Sequence, residues 1–457
     1  MTRLGRTTLA ALLAVWTFAH GAQAQTLTPD QMRGTAMLAI EDGNPALALQ
    51  VAEALLVRDA EDVTALILKA RAARDLGQFN IAQPAAARAW ALSDTDATRF
   101  DSARVMAQVL ASQGQRTRAQ FWLRRAVQNA PDAGARRIAV QEFRYVSARN
   151  PWNTQLNFSV APNSNINNGS VKDTTEILNF FSQDYVVANL SGAAVALSGL
   201  EISTGATLRY SLLESPAYRT DLLVQADTRR YVLSDEAERI APTATASDFA
   251  LDSLNVGIDH RWRDRTRAVE YQVGALVGAT RYGGEHYSDQ ARLSFGVNRT
   301  IDSQTLLGAA LAADVTRGPL APHADGLRLG LNLQHRHSSG TLLAARLSLS
   351  QSRSDSENAD YDDVRLDLFA EPDWSILGAE AQVGLSLRAR DYDSFVFFSP
   401  DGRRDREMAV YLMLSFTEAE YYGFIPTMTL EASHTDSNIG LYDVNRVGLQ
   451  LGIRSAF

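Results

Sequence analysis

The chain has 457 residues, a formal net charge of −8 and no cysteine. That length allows roughly two or three domains with ample core. The acidic balance argues against a nucleic-acid footprint, and the missing cysteines exclude a disulfide framework, thiolate metal sites and a lipid-anchoring cysteine of the chain's own.

Residues 1–24 read as a secretory signal peptide. Arg3 and Arg6 make a basic start, Leu9 to Phe18 an apolar run of about ten residues, and Ala22-Gln23-Ala24 a small-x-small cleavage site. The run is shorter than the ~20 residues that span a bilayer as a helix. The expected product is an exported protein that begins at Gln25.

Residues 25–150 are alanine-rich and nearly free of strand signal. Gly43 and Gly77 lie 34 residues apart, and Gly114 follows 37 later. Five residues beyond each glycine stand Ala48, Ala82 and Ala119, twelve beyond stand Leu55, Ala89 and Ala126, and seventeen beyond stand Ala60, Asp94 and Pro131. Small residues at these offsets let paired helices approach closely, and the glycines permit turns between them. The pattern resembles tetratricopeptide repeats, best in the copy from Gly114 to Pro131. Stacked helix hairpins bind peptide segments, and no motif for chemistry interrupts them.

Asn150-Pro151-Trp152 ends the last helix. Alternation starts at once with Leu156, Phe158 and Val160 on one face, followed by a polar run from Ala161 to Ser170. At this point the chain resembles the surface lipoprotein assembly modulators, which join a tetratricopeptide domain to an outer-membrane barrel. An Asn-x-Asn-x-Asn segment follows the first barrel strand in that family, and Asn163, Asn165, Asn167 and Asn168 stand at the matching place. The resemblance implies a translocator whose periplasmic repeats recognise a client protein or lipoprotein. It further implies partners in outer-membrane lipid, lipopolysaccharide and the barrel assembly machinery.

Residues 151–457 then repeat the period of two that a strand demands. After the first strand, alternating runs centre on Ile202 to Leu212, Leu222 to Tyr231, Leu254 to Trp262, Tyr271 to Ala279, Ala291 to Arg299 and Leu307 to Val315. They continue at Leu327 to His335, Leu343 to Ser350, Val364 to Phe369, Ala381 to Arg388, Ala409 to Phe416, Ile425 to Ser433 and Arg446 to Phe457. A sheet of about 14 strands without a covering helical layer must close on itself, and an apolar outer face then meets lipid. Strands of about ten residues suit a tilted bilayer crossing. Alternate connections are short, around Ser215-Pro216, Asp264-Arg265, Asp302-Ser303, Ser338 to Gly340, Trp374 to Gly378 and Glu418 to Glu420. The others are mostly long, as expected of periplasmic turns and outer loops. Tyr210, Tyr231, Trp262, Tyr271, Tyr282, Trp374, Tyr411 and Tyr421 fall near strand ends, where interfacial girdles lie. The terminal Phe457 resembles the signal that such barrels present to their assembly machinery. The expected architecture is therefore an α-helical tetratricopeptide-like solenoid followed by an antiparallel transmembrane β-barrel.

Catalytic chemistry is not expected, nor are a cofactor, a metal or nucleic acid. His335 and His337 share a strand face without a third ligand, and the acidic run Asp355 to Asp363 lacks a calcium-loop spacing. The segment Ser394 to Pro400 carries Phe395, Phe397 and Phe398 into an expected outer loop. That apolar patch calls for a partner: the barrel interior, lipid or an exported client. Two other function classes fit the same architecture, a polysaccharide export channel and a simple porin with a periplasmic helical scaffold.

Overall fold

Among the described residues, seven helices precede the first strand. The structure, a computed structural model, describes residues 27–178, 184–393, 395, 398, 399 and 401–455. The expected signal peptide, Phe397 and Phe457 lie outside the described residues. Two compact units result, one ending at Gln113 and one running from Gly114 onward.

The first unit holds α1 (Pro29–Glu41), α2 (Pro45–Arg58), α3 (Val63–Asp75), α4 (Phe79–Leu92) and α5 (Asp96–Ser112). Their boundaries follow from capping chemistry. Thr28, Asn44, Asp62 and Thr95 each accept the backbone N–H three residues on, and Pro29 and Pro45 occupy first-turn positions that need no donor. Gly43 (φ +74°) and Gly77 (φ +72°) end α1 and α3 in left-handed backbone. Beyond them Asn44 N–H donates to Ala39 O at 2.7 Å and Gln78 N–H to Ala73 O at 2.8 Å, the Schellman closure. Ala48, Leu55, Ala82 and Ala89 are buried as the repeat requires, and Ala36, Ala39, Ala48, Ala52, Leu68 and Ala72 form one core. The third set of offsets behaves differently. Ala60 and Asp94 lie exposed in turns beyond the second helix of each pair, so small size there serves no helix packing.

Asp62 has two roles. It caps α3 by accepting Ala65 N–H at 3.0 Å, and it pairs with Arg33 of α1 at 2.6 Å. Burial opposes its ionisation, but the Arg33 guanidinium and the capping amides outweigh burial and hold its pKa below the ordinary value. A depressed carboxylate stabilises the fold at neutral pH, and the contribution is lost as pH falls through the folded pKa. Hydrogen exchange, corrected for intrinsic rates, should show protection of α1 and α3 amides falling in acid. In Asp62→Asn the acid step should flatten and protection at pH 7 should drop by about 1–2 kcal/mol.

The second unit begins with α6 (Arg116–Gln128) and α7 (Ala133–Arg149). Strand β1 (Trp152–Asn163) follows, then a hairpin of β2 (Thr174–Leu178) and β3 (Tyr185–Asn189) within the first long loop. Next come β4 (Gly199–Glu214), β5 (Tyr218–Leu233), the loop helix α8 (Asp235–Ile240), β6 (Leu251–Asp264), β7 (Val269–Tyr282) and β8 (Glu285–Thr300). They are followed by β9 (Thr305–Arg317), β10 (Ala324–Arg336), β11 (Leu342–Ser354), β12 (Tyr361–Glu371) and the two-residue β13 (Ser375–Ile376). The chain ends with β14 (Ala379–Tyr392), β15 (Arg403–Ser415), β16 (Phe424–Ser437) and β17 (Val444–Ser455). Each barrel strand pairs antiparallel with its neighbours, β12 pairs with β14, and β1 pairs with β17, so fourteen strands close a barrel. All fourteen stand where the alternating runs predict them. The loop hairpin and α8 were not legible in that alternation.

The two faces differ as a lipid-embedded barrel requires. On β10, Leu327, Leu329, Leu331 and Leu333 are all at least 40% exposed on the outside. The opposite parity lines the lumen with charge and amide. There Asp221 is fully buried and accepts from Arg219 Nε at 2.7 Å, Arg261 at 2.8 Å and Ser211 Oγ at 2.7 Å. Short turns gather at the end where α7 enters. At the other end the connections after β1, β5 and β14 are long, those after β9, β11 and β16 are about six residues, and Gly283-Gly284 is a two-residue turn with both φ positive (+58° and +84°).

An outward aromatic belt lines the short-turn end from β1 through β4 to β7. Trp152 packs on Tyr210 at 4.7 Å between ring centroids, and Tyr218, His260, Trp262 and Tyr271 stack in a row at 5.2–6.3 Å. Tyr282 ends β7 on the parity opposite to the outward Val273 and Val277, so it leaves the girdle expected from sequence. Tyr231 and Tyr411 correct that expectation too. Each has the parity opposite to its exposed neighbours Val232 and Val410, so both face the lumen. Tyr411 lies over Gly384, where an added Cβ would meet its ring at 2.0 Å, and Tyr231 packs beside the loop cluster of Ile166, Leu197 and Phe249.

Candidate functional site

The closing seam differs from every other pair among the fourteen barrel strands. Among the described residues, β1 and β17 pair at four positions: Phe158 with Ile453, Ser159 with Gly452, Val160 with Leu451 and Asn163 with Gly448. The other barrel pairs run to between nine and fifteen positions, and β1 meets β4 along all twelve of its residues. The same register would set Asn157 opposite Arg454 and Pro162 opposite Leu449, and neither pair forms. Two chemical features thin the ladder here. Pro162 brings no N–H, and Gly448 and Gly452 give β17 little side-chain cover.

At the long-loop end the asparagine segment takes over where the ladder stops. Ser164 N–H donates to Val447 O at 3.2 Å, and Val447 N–H returns to Ser164 Oγ at 2.9 Å. Asn165 is fully buried. Its amide nitrogen donates to Gly169 O at 2.8 Å and to Asn445 O at 3.2 Å, while its Oδ1 accepts Gly169 N–H at 2.8 Å. Arg446 donates to Asn165 O at 3.3 Å and to Asn168 Oδ1 at 3.0 Å. Asn163 Oδ1 accepts Asn165 N–H at 2.9 Å, starting the turn. Asn167 faces away from the seam and ties the segment to the end of the first loop, through Ala193 O, Val195 O and Leu197 N–H at 2.8 Å each. The tight path explains two backbone specials. Asn168 adopts φ +56°, which asparagine tolerates better than most residues, and a Cβ on Gly169 would sit 2.2 Å from Val195 O. The structure thus gathers all four asparagines at one place, where Asn165 and Asn168 fasten the segment to Asn445 and Arg446 while Asn163 and Asn167 shape and tether it.

At the short-turn end the fastening is helical. Arg124 of α6 donates to Tyr422 O at 3.1 Å, to Gly423 O at 2.7 Å and to Ser455 Oγ of β17 at 2.9 Å. Its guanidinium lies 4.8 Å over Phe424 and 5.0 Å over Phe143. Gln128 Oε1 accepts Tyr422 N–H at 2.9 Å, and Arg136 of α7 pairs with Glu420. Burial lowers the Arg124 pKa and Glu420 opposes that shift. Because α7 runs straight into β1 while Arg124 holds β17, one helix pair grips both sides of the seam. Arg124→Ala should remove about 2–3 kcal/mol of this grip. The result would appear as faster hydrogen exchange confined to residues 420–424 and the end of β17.

Of the aromatic loop, Phe395 points inward. Phe395 is 2% exposed, packed against Tyr392, Phe398 and Tyr442 at 5.5–6.2 Å, with Arg403 3.3 Å above the Tyr442 ring. Phe398 sits half-buried at the edge of that cluster. The acidic run is answered by arginines: Asp360 and Asp362 pair with Arg353, and Asp363 with Arg388 and Arg390. His335 bonds Thr305 at 3.1 Å and His337 bonds Ser339 at 2.9 Å, each at a strand end.

A family model described as surface lipoprotein assembly modifier matches residues 152–457. No curated protein matches the chain. The helices are similar to the type III secretion translocator chaperone SycD of Yersinia enterocolitica, at 16% identity and a TM-score of 0.24, over 28% of this chain and 91% of that one. The barrel is similar to OccAB3 of Acinetobacter baumannii, at 9% identity and a TM-score of 0.35, over 66% and 99%. It is also similar to a bacterial polysaccharide outer membrane secretin, at 9% identity and a TM-score of 0.33, over 66% and 98%.

Proposed function

The chain belongs to the surface lipoprotein assembly modifier family, and from that premise we propose that it is an outer-membrane translocator delivering a surface lipoprotein, or a secreted protein, across the outer membrane. The observation that carries this reading is the extent of the match. It starts at Trp152, the first residue of β1, and takes in all fourteen barrel strands. The barrel lies in the outer membrane, and the chain enters it at the short-turn end, so the preceding helices are periplasmic.

On this reading the helical repeats recognise the client before the barrel receives it. Exposed apolar residues on α1 and α2, among them Leu38, Leu47 and Val57, support such a role. Without ATP in the periplasm, client folding outside or shared use of the barrel assembly machinery would supply direction. Outer-membrane lipid and lipopolysaccharide would surround the strands and loops. The chain acts without catalysis or cofactor in this scheme.

Deleting the gene and labelling cells with an alkyne-tagged fatty acid tests the proposal. One or a few acylated proteins should become inaccessible to protease added to intact cells while persisting in lysates, and a plasmid copy should restore them. Biotinylation of intact cells would reveal an unlipidated client in the same way. Unchanged surface proteins with altered small-solute uptake would favour the porin reading, and loss of surface polysaccharide the export channel.

A further inference from the structure

We propose that the β1–β17 seam is a lateral exit, opening to pass the acyl-bearing end of the client from the lumen into the surrounding lipid. This rests on the translocator reading above. The physical problem is the anchor itself. Every methylene that leaves an apolar environment for water costs free energy, so an acyl chain cannot be released through the watery mouth of a barrel lined with charge and amide. It must leave sideways through the wall.

Opening a wall breaks a strand ladder, and backbone groups freed inside lipid are costly. The number of pairs therefore decides where a wall can open. Four pairs hold the seam among the described residues, against at least nine at every other barrel interface. The seam also carries its own latches. Asn165 and Asn168 hold it from the loop side through Asn445 and Arg446, and Arg124 holds it from the helical side through Ser455. These latches are polar and local, so they can release without disturbing the other thirteen interfaces. On the lipid side an apolar groove of about 650 Å³ spans the seam, walled by Pro162, Leu200, Val232, Leu430, Val447 and Leu449. These residues come from five neighbouring strands, the seam strands β1 and β17 with β4 and β5 beyond β1 and β16 beyond β17. The occupant assigned to the groove is the client's acyl chain, since it lies directly outside the door through which that chain would emerge.

The chain has no cysteine of its own, so a disulfide can be placed cleanly. Val160→Cys with Leu451→Cys joins an in-register pair across the seam, and Leu331→Cys with Leu347→Cys joins one across β10 and β11 as control. Each variant replaces the wild-type gene, and protease-accessible alkyne-palmitate-labelled protein is measured on intact cells. Oxidation of the seam pair should lower surface acylated protein at least tenfold, reductant should restore it, and the control pair should match wild type in both states. Recovery with reductant excludes a folding defect. If the oxidised seam pair displays acylated protein at wild-type level while the deletion strain does not, the exit lies elsewhere and the translocator reading stands. If the deletion strain displays acylated protein normally, the exit proposal falls, and the translocator reading falls with it when biotinylation of intact cells also finds no protein lost.

Discussion

Leu329→Arg is expected to remove most of the folded protein from the outer membrane. Leu329 sits in the middle of β10, in register with Leu311 and Leu349, with its side chain on the outer face. A guanidinium there lies in hydrocarbon, at a cost of about 2–4 kcal/mol near the bilayer midplane. Ala310→Arg is the matched control. Ala310 faces the lumen between Gly296 and Gly330, where an arginine finds both space and water. Its cost should stay within about 0.5 kcal/mol. Urea unfolding in liposomes and the heat-dependent gel shift of folded barrels would measure both. Equal tolerance of the two substitutions would contradict a lipid-facing β10.

Asn165→Asp should produce the second large effect. The side-chain nitrogen of Asn165 faces two carbonyl oxygens, those of Gly169 and Asn445. A carboxylate oxygen in its place offers no proton and sets negative charge against two acceptors in a site without solvent. A buried charge only partly answered, here by Arg446 and the Gly169 N–H, costs up to about 3–5 kcal/mol. Asn165→Ala deletes the bonds without adding charge, so about 1–3 kcal/mol is expected. The loss should be local, read as faster hydrogen exchange of residues 164–170 and 445–447 with little change at β10. A uniform change across the barrel would mean that Asn165 supports the whole fold rather than the seam.

The barrel was legible because its strands carry their own evidence. A period of two with leucine on one parity, as on β10, states both the secondary structure and the face that meets lipid. Connection lengths state the topology only in part. The loops after β1, β5 and β14 are long, but those after β7, β9, β11 and β16 are shorter than the connections after β12 and β15 at the opposite end. The helix ends were legible for similarly local reasons, since glycines spaced 34 residues apart needed only to sit in left-handed backbone to turn the chain. Tyr231 and Tyr411 show where such reading stops. Nearness to a strand end suggested the girdle, but parity places both rings in the lumen.

The seam was illegible for a different reason. The asparagine run pointed to the right segment, yet its partners, Asn445 to Val447, lie about 280 residues further on. Nothing in the local pattern says that β1 and β17 pair briefly. Pro162, Gly448 and Gly452 were the available signals, and they weigh only once the two strands are known to be neighbours. Arg124 is similar, one of several arginines on α6 that gains meaning from Gly423 and Ser455. The aromatic loop drew notice for its hydrophobicity, and its covering residues, Tyr442 and Arg403, arrive from two other segments.

The claim beneath all of this is that lipid meets one side of the fourteen strands and the lumen the other. Single cysteines from Leu327 to Gln334, spin-labelled in the protein reconstituted into liposomes, test it directly. Oxygen accessibility should peak at the odd positions, and accessibility to a water-soluble nickel relaxant at the even ones, the two profiles running out of phase along the strand. Low accessibility to both reagents at the leucines, as against a protein core, or equal exposure of both parities to nickel, would contradict the account.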